Sequence, residues 1–183
     1  MKILGISLLM LAAVVTSVHA LEQRELLVRN ETVAVFSGAP YQKCLGRTMQ
    51  CPEHCDGSGE FATFEIRGYL KYEKPGQYGD PKQGQFMVRI SDFNKQPVGD
   101  PAWRATILTL KPGDWVALTW NHDYVTRDGS KFPERPLVSL KKLSADEAAE
   151  LLKKAEPAPP APKAPTGPRG ARSRDAAPRA VAF

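Results

Sequence analysis

The chain has 183 residues, 42% of them hydrophobic, with a formal charge of +5 and three cysteines. That length supports one domain with a modest core, and no internal repeat points to a repeat array. The basic excess does not mark a nucleic-acid-binding face, because residues 21–155 hold 19 basic against 18 acidic side chains and the surplus lies in the tail.

The N-terminus, MKILGISLLMLAAVVTSVHA (residues 1–20), has the layout of a secretory signal peptide. Lys2 makes the positive start, Ile3 to Val18 is largely apolar, and Val18-His19-Ala20 fits a small-residue cleavage site. The apolar run is shorter than the roughly 20 residues of a spanning helix, and no cysteine follows it for a lipid anchor. The expectation is an exported protein, periplasmic or secreted, with no transmembrane segment after cleavage. His19 leaves with the signal, so His54 and His122 are the histidines that remain. Asn30-Glu31-Thr32 matches a glycosylation sequon, which matters only in a eukaryotic secretory host.

Residues 21–60 are expected to hold a first strand, ETVAVFSG, followed by a cysteine-rich loop, KCLGRTMQCPEHCDGSG. Three cysteines cannot all pair within one chain. An oxidising compartment favours a disulfide among Cys44, Cys51 and Cys55, leaving one thiol free or intermolecular. The same three thiols with His54 also reach the four N/S ligands of zinc, and thiolates suit Cu(I). His54 and Cys55 are adjacent, so they converge on one ion only if the backbone turns sharply, as CDGSG permits. His122 or water is the alternative fourth ligand. Metal site and disulfide both stay open here. Thiol redox catalysis is the weaker reading, because three residues, not two, separate Cys51 from Cys55 and no βαβ pattern surrounds them.

Residues 61–143 alternate with period two, as half-buried strands do. FATFEIRGYLKYE sets Phe64, Ile66, Leu70 and Tyr72 on one face, with Gly68 there permitting a bulge. GQFMVRISDF aligns Phe86, Val88 and Ile90, and DWVALTWNHDYVT aligns Val116, Leu118, Trp120, His122 and Tyr124. PLVSLKKL supplies a last strand, and Asp128-Gly129 signals a hairpin before it. Asp100-Pro101 and the apolar residues Ile107, Leu108 and Leu110 predict a short helix between the third and fourth strands.

Residues 144–155 predict a short helix with a capping box of Ser144 and Glu147. Residues 156–183 follow with seven prolines, no apolar periodicity, and five basic against two acidic side chains. Such a segment is expected to be disordered, and its charge suits an anionic envelope polymer, a protein partner or simple solubilisation.

Five strands with a helix between the third and fourth, entered through LKPGDWVALTW, resemble small exported bacterial OB-like β-barrel proteins. The resemblance spans roughly Phe61 to Leu143 and implies a mainly β, five-stranded OB-like barrel with one or two short helices. It names no activity.

Catalytic motifs are absent from the sequence pattern. The glycines at 76, 79 and 84 lack the Lys-Ser/Thr of a phosphate loop, and Ser58 in DGSGE lacks nucleophile-elbow spacing. His122 and Tyr124 are the candidate ligand contacts at the barrel mouth, with Trp115 as a further platform; Tyr69, Tyr72 and Trp103 are candidates for packing. The functional expectation is a non-enzymatic binding or accessory module of the cell envelope, with Zn or Cu as cofactor if the cysteine loop is a metal site. The alternatives are a thiol redox or metal-handling protein using that loop, and a structural envelope protein acting through its tail. No nucleic-acid partner is expected.

Overall fold

The computed structural model describes residues 22–43 and 57–161. Residues 1–20, expected from the sequence to be a signal peptide, lie outside the described residues, as do Cys44, Cys51, His54, Cys55 and the tail beyond Ala161. The elements in chain order are β1 (Gln23–Gly38), β2 (Tyr41–Gln42), β3 (Gly59–Glu73), β4 (Gln85–Ser91), α1 (Pro101–Thr109), β5 (Trp115–Arg127), β6 (Ser130–Glu134), β7 (Leu137–Leu143), α2 (Ala145–Leu152) and β8 (Glu156–Pro157).

The protein is mainly β, and all eight strands join one antiparallel sheet. β1 lies in the middle, paired with β3 on one side and β5 on the other. β2 continues the line of β1 along β3. The far edge of β3 carries β4 and β8 end to end, and the far edge of β5 carries β7 and β6 end to end. Eight strands thus share five lanes, but the sheet is open: among the described residues no pairing joins the β4 edge to the β7 edge. This corrects the five-stranded barrel expected from the sequence. β1, β3 and β5 run 16, 15 and 13 residues, about twice the length of β4 or β7, so one short strand cannot satisfy a whole edge.

Local chemistry explains most elements. Asp100 caps α1 by accepting from the Ala102 N–H at 2.7 Å, and Pro101 fills the first turn, where no donor is needed. Asp128 and Gly129 both adopt positive φ, the twist a two-residue hairpin demands between β5 and β6. Ser144 Oγ accepts from the Glu147 N–H at 3.1 Å while the Glu147 carboxylate accepts from the Ser144 N–H at 2.8 Å, completing the capping box of α2. Ser144→Ala should lower stability by about 1 kcal/mol, read from the urea midpoint; an unchanged midpoint would mean that α2 docks without its cap.

The inner face of the sheet holds the main core, from Ala34, Phe36, Phe64, Phe86, Leu118 and Trp120, with Ile107 of α1 packed in. α2 covers the other face over Val33, Leu70, Trp115 and Ala117. β3 reaches both through two irregularities. Val33 pairs with Gly68 and Ala34 with Ile66, so Arg67 is extra; Glu31 pairs with Lys71 and Thr32 with Tyr69, so Leu70 is extra. These bulges switch the alternation. Tyr69 joins Phe64 and Ile66 in the main core, whereas Leu70, expected on that face, packs beneath α2.

Residues 156–161 were expected to begin an unstructured tail. Instead β8 pairs with Gly68 and Tyr69, the Ala158 N–H donates to the Arg67 carbonyl at 3.4 Å, and Lys82 ion-pairs Glu156. The vacant edge of β3 beyond β4 offers unpaired backbone groups, and the chain leaving α2 is close enough to meet them.

Candidate ligand-binding cleft

β5 carries its inward alternation to His122, which is 5% exposed. Above it lies the connection from β3 to β4, residues 74–84, folded down onto β1. The Gly76 N–H donates to the Leu27 carbonyl at 3.2 Å. Gly76 and Gly79 allow this seat, since a Cβ on Gly76 would lie 2.5 Å from Leu27 Cδ2, and one on Gly79 would lie 2.3 Å from Val28 Cγ2.

Two tyrosines of β3 grip this loop: Tyr69, turned inward by the bulges, and Tyr72, which keeps the face that alternation gives it. The Tyr72 hydroxyl donates to the Asp80 carbonyl at 2.8 Å. The Tyr69 hydroxyl donates to the Gln83 carbonyl at 2.8 Å and accepts from the Gln83 N–H at 2.7 Å. Burial pushes the Tyr69 phenol up to about 12, so it stays a donor throughout the neutral range.

Asp80 is the centre of the loop's contacts. Its carboxylate accepts from Arg135 at 2.7 Å (Nε to Oδ2) and 3.1 Å (Nη2 to Oδ1), and from Gln83 Nε2 at 3.3 Å. Burial alone would raise the Asp80 carboxyl, but the hydrogen bonds and charge of Arg135, with help from His122, hold it below the usual carboxylate value. The Asp80 N–H donates to His122 Nδ1 at 3.1 Å, and Asp80 Oδ2 stands 3.2 Å from the same nitrogen. One Nδ1 cannot accept from the amide and donate to the carboxylate at once. Burial lowers the His122 pKa despite the attraction of Asp80, and the carboxylate is already committed to Arg135. Neutral imidazole therefore accepts at Nδ1 and carries its proton on Nε2. That buried Nε2 has no hydrogen-bond partner among the described residues.

A pH dependence follows. The folded value of His122 lies below the value near 6.5 of the unfolded chain. As pH falls, the unfolded chain takes up the proton first, so the stability tied to neutral His122 is complete above about pH 6.5 and is lost as pH drops through the folded value. Urea midpoints measured from about pH 7.5 downward should decline over that window, and His122→Gln should flatten the decline. Equal slopes in both proteins would assign the decline to another group.

His122 lines a cleft of about 520 Å³. Glu25 and Leu27 of β1 form one side, with Tyr78 from the 74–84 loop above them. Tyr124 of β5 stands beside His122, and Lys131, Pro133 and Arg135 close the far side. Tyr124 pairs across to Glu25 on β1 and to Pro133 on β6, which puts these residues on one sheet face. On the opposite face Arg24 stands 2.8 Å from Glu134 and 3.6 Å from Asp123, tying β1, β5 and β6 together at this end. Burial raises the Asp123 carboxyl against the opposing pull of Arg24.

The geometry brings His122 and Tyr124 into one cleft. Trp115 is not part of it: it packs under α2 on the other face. Trp103, Tyr69 and Tyr72 pack against the main core. Sequence reasoning missed Glu25, Tyr78, Asp80, Lys131 and Arg135; the paired glycines at 76 and 79 were the one available signal. Among the described residues no hydroxyl is hydrogen-bonded to His122. Its free donor suits binding. Among the described residues no three His, Cys, Asp or Glu side chains cluster as metal ligands, and no helix is long and apolar enough to cross a membrane.

No family model, curated protein or solved structure matches this chain.

Proposed function

We propose that this chain is an exported, non-enzymatic binding module of the cell envelope and that its ligand occupies the cleft over His122. The observation that carries the reading is a concave site with two exposed tyrosines, Tyr78 and Tyr124, above a buried imidazole whose Nε2–H has no partner among the described residues. A buried donor left unpaired costs about 1–3 kcal/mol, and a bound acceptor removes that penalty. The signal-peptide layout of residues 1–20 supports export. The lane order, with α1 between β4 and β5, supports an open OB-like arrangement akin to the small exported bacterial proteins the sequence resembles.

Co-sedimentation with purified envelope material tests the site. The full-length protein should bind, and Tyr124→Ala should lose most of that binding while keeping its stability. A truncation after Ala161, which retains β8, should bind as well as the intact chain. The reverse pattern would move the function to the basic tail and make the protein a structural envelope component.

The cysteine loop supports a second reading, as a Zn or Cu site or a thiol redox centre formed by Cys44, Cys51, His54 and Cys55. Gln42 pairs with Gly59, and Tyr41 with Glu60, so the ends of the loop meet at a closed base. Native mass spectrometry with and without reductant separates the outcomes. Near-stoichiometric metal lost in Cys51→Ser supports the metal site; a metal-free mass with two oxidised cysteines rules it out.

A further inference from the structure

We propose that the cleft takes a pyranose ring of a neutral glycan, its C–H face on Tyr124 and its hydroxyls shared among His122, Glu25 and Lys131. The inference rests on the cleft being the binding site and names the ligand's chemistry. A volume of about 520 Å³ falls within the range of small-ligand sites.

The charges decide the class. Arg135 is the cation best shaped to clamp a phosphate or carboxylate, but its Nε/Nη2 edge is already held two-pronged by Asp80, whose charge offsets its own. Of the charged side chains that line the cleft, Lys131 and Glu25, one of each sign, make no ion pair among the described residues. An anionic ligand would gain from Lys131 and be repelled by Glu25. A sugar uses both, because each hydroxyl donates and accepts: Glu25 accepts a hydrogen bond from one hydroxyl, while Lys131 and His122 Nε2 donate hydrogen bonds to others. The same ring presents an apolar C–H face suited to a phenol. Tyr124 is 37% exposed and Tyr78 79% exposed, although five hydrogen bonds from Tyr69, Tyr72, Gln83 and Arg135 hold the Tyr78 loop in place. Large aromatic surface left open on a fixed loop is a platform for stacking. The buried Nε2–H of His122, without a partner among the described residues, suits an acceptor oxygen, which a ring hydroxyl or an N-acetyl carbonyl provides.

The test titrates the full-length protein with cellotetraose and chitotetraose as neutral probes, and with oligothymidylate and inorganic phosphate as anionic ones. Imidazole resonances of His122 and ring resonances of Tyr124 report the site. A neutral oligosaccharide should shift both, with little dependence on salt. Tyr124→Ala should weaken that binding at least tenfold, and Glu25→Gln should weaken it several-fold. An anion site would respond to Glu25→Gln in the opposite direction, by binding oligothymidylate or phosphate more tightly. A response to the anionic probes alone overturns the glycan assignment and leaves the cleft as the site. Envelope binding that persists with no shift at His122 or Tyr124 overturns both.

Discussion

Trp120→Ala should lower the unfolding free energy by about 3–5 kcal/mol, the loss expected when a large aromatic is truncated in a packed core. Trp120 is 3% exposed, stacks on Phe86 with ring centroids 4.5 Å apart, and leans on Tyr69 at 6.3 Å. One side chain of β5 thus bridges to β3 and β4, the lanes on the far side of β1. Among the described residues no closing strand pair holds those lanes opposite β5, so packing across the inner face links them. The melting temperature should fall by about 10 °C or more. Leu108→Ala, on the solvent side of α1, should change stability by less than about 0.5 kcal/mol. A similar small loss for Trp120→Ala would show that the inner face does not couple the lanes.

The pattern that made β5 readable is the same one that located His122. Val116, Leu118, Trp120 and His122 alternate without interruption, and all are buried. Helix ends were legible because caps are local: Asp100-Pro101 and Ser144 with Glu147 need only their own first turns. What escaped depends on distant partners. The first half of β1, QRELLVRN, is too charged to read as a strand, yet β5 pairs with it from Gln23 to Arg29. The bulges that turn Tyr69 inward and Leu70 outward arise from register with β1, which periodicity within β3 cannot reveal. β6 and β8 exist because long neighbours leave edges to fill. The cleft follows the same division. His122 and Tyr124 came from alternation, whereas Asp80, Tyr78 and Arg135 reach the site only because a loop of turn residues settles on Leu27 and Val28.

That seat yields the second large effect. Gly79→Ala places a methyl 2.3 Å from Val28 Cγ2 and 2.7 Å from the Leu27 carbonyl oxygen. Val28 is fully buried and paired with His122, and Leu27, the extra residue of a bulge in β1, is anchored by paired neighbours on both sides, so neither can retreat far and the loop must lift. Overpacking of this kind costs about 1–3 kcal/mol. The residue that moves next is Asp80, so the 3.1 Å bond to His122 Nδ1 and the two bonds from Arg135 loosen together. With its cover raised, His122 is better solvated, and its pKa should climb back toward the unfolded value. Gly79→Ala should therefore unfold at lower urea, depend less on pH in the His122 window, and lose cleft binding, three readouts with one cause. Tyr78→Ala removes a neighbouring, exposed side chain and should leave stability and the His122 titration as they are while weakening binding. If Gly79→Ala instead preserves the urea midpoint and the His122 titration, the loop is not held against β1, and the wall it gives the cleft is not a fixed part of the site.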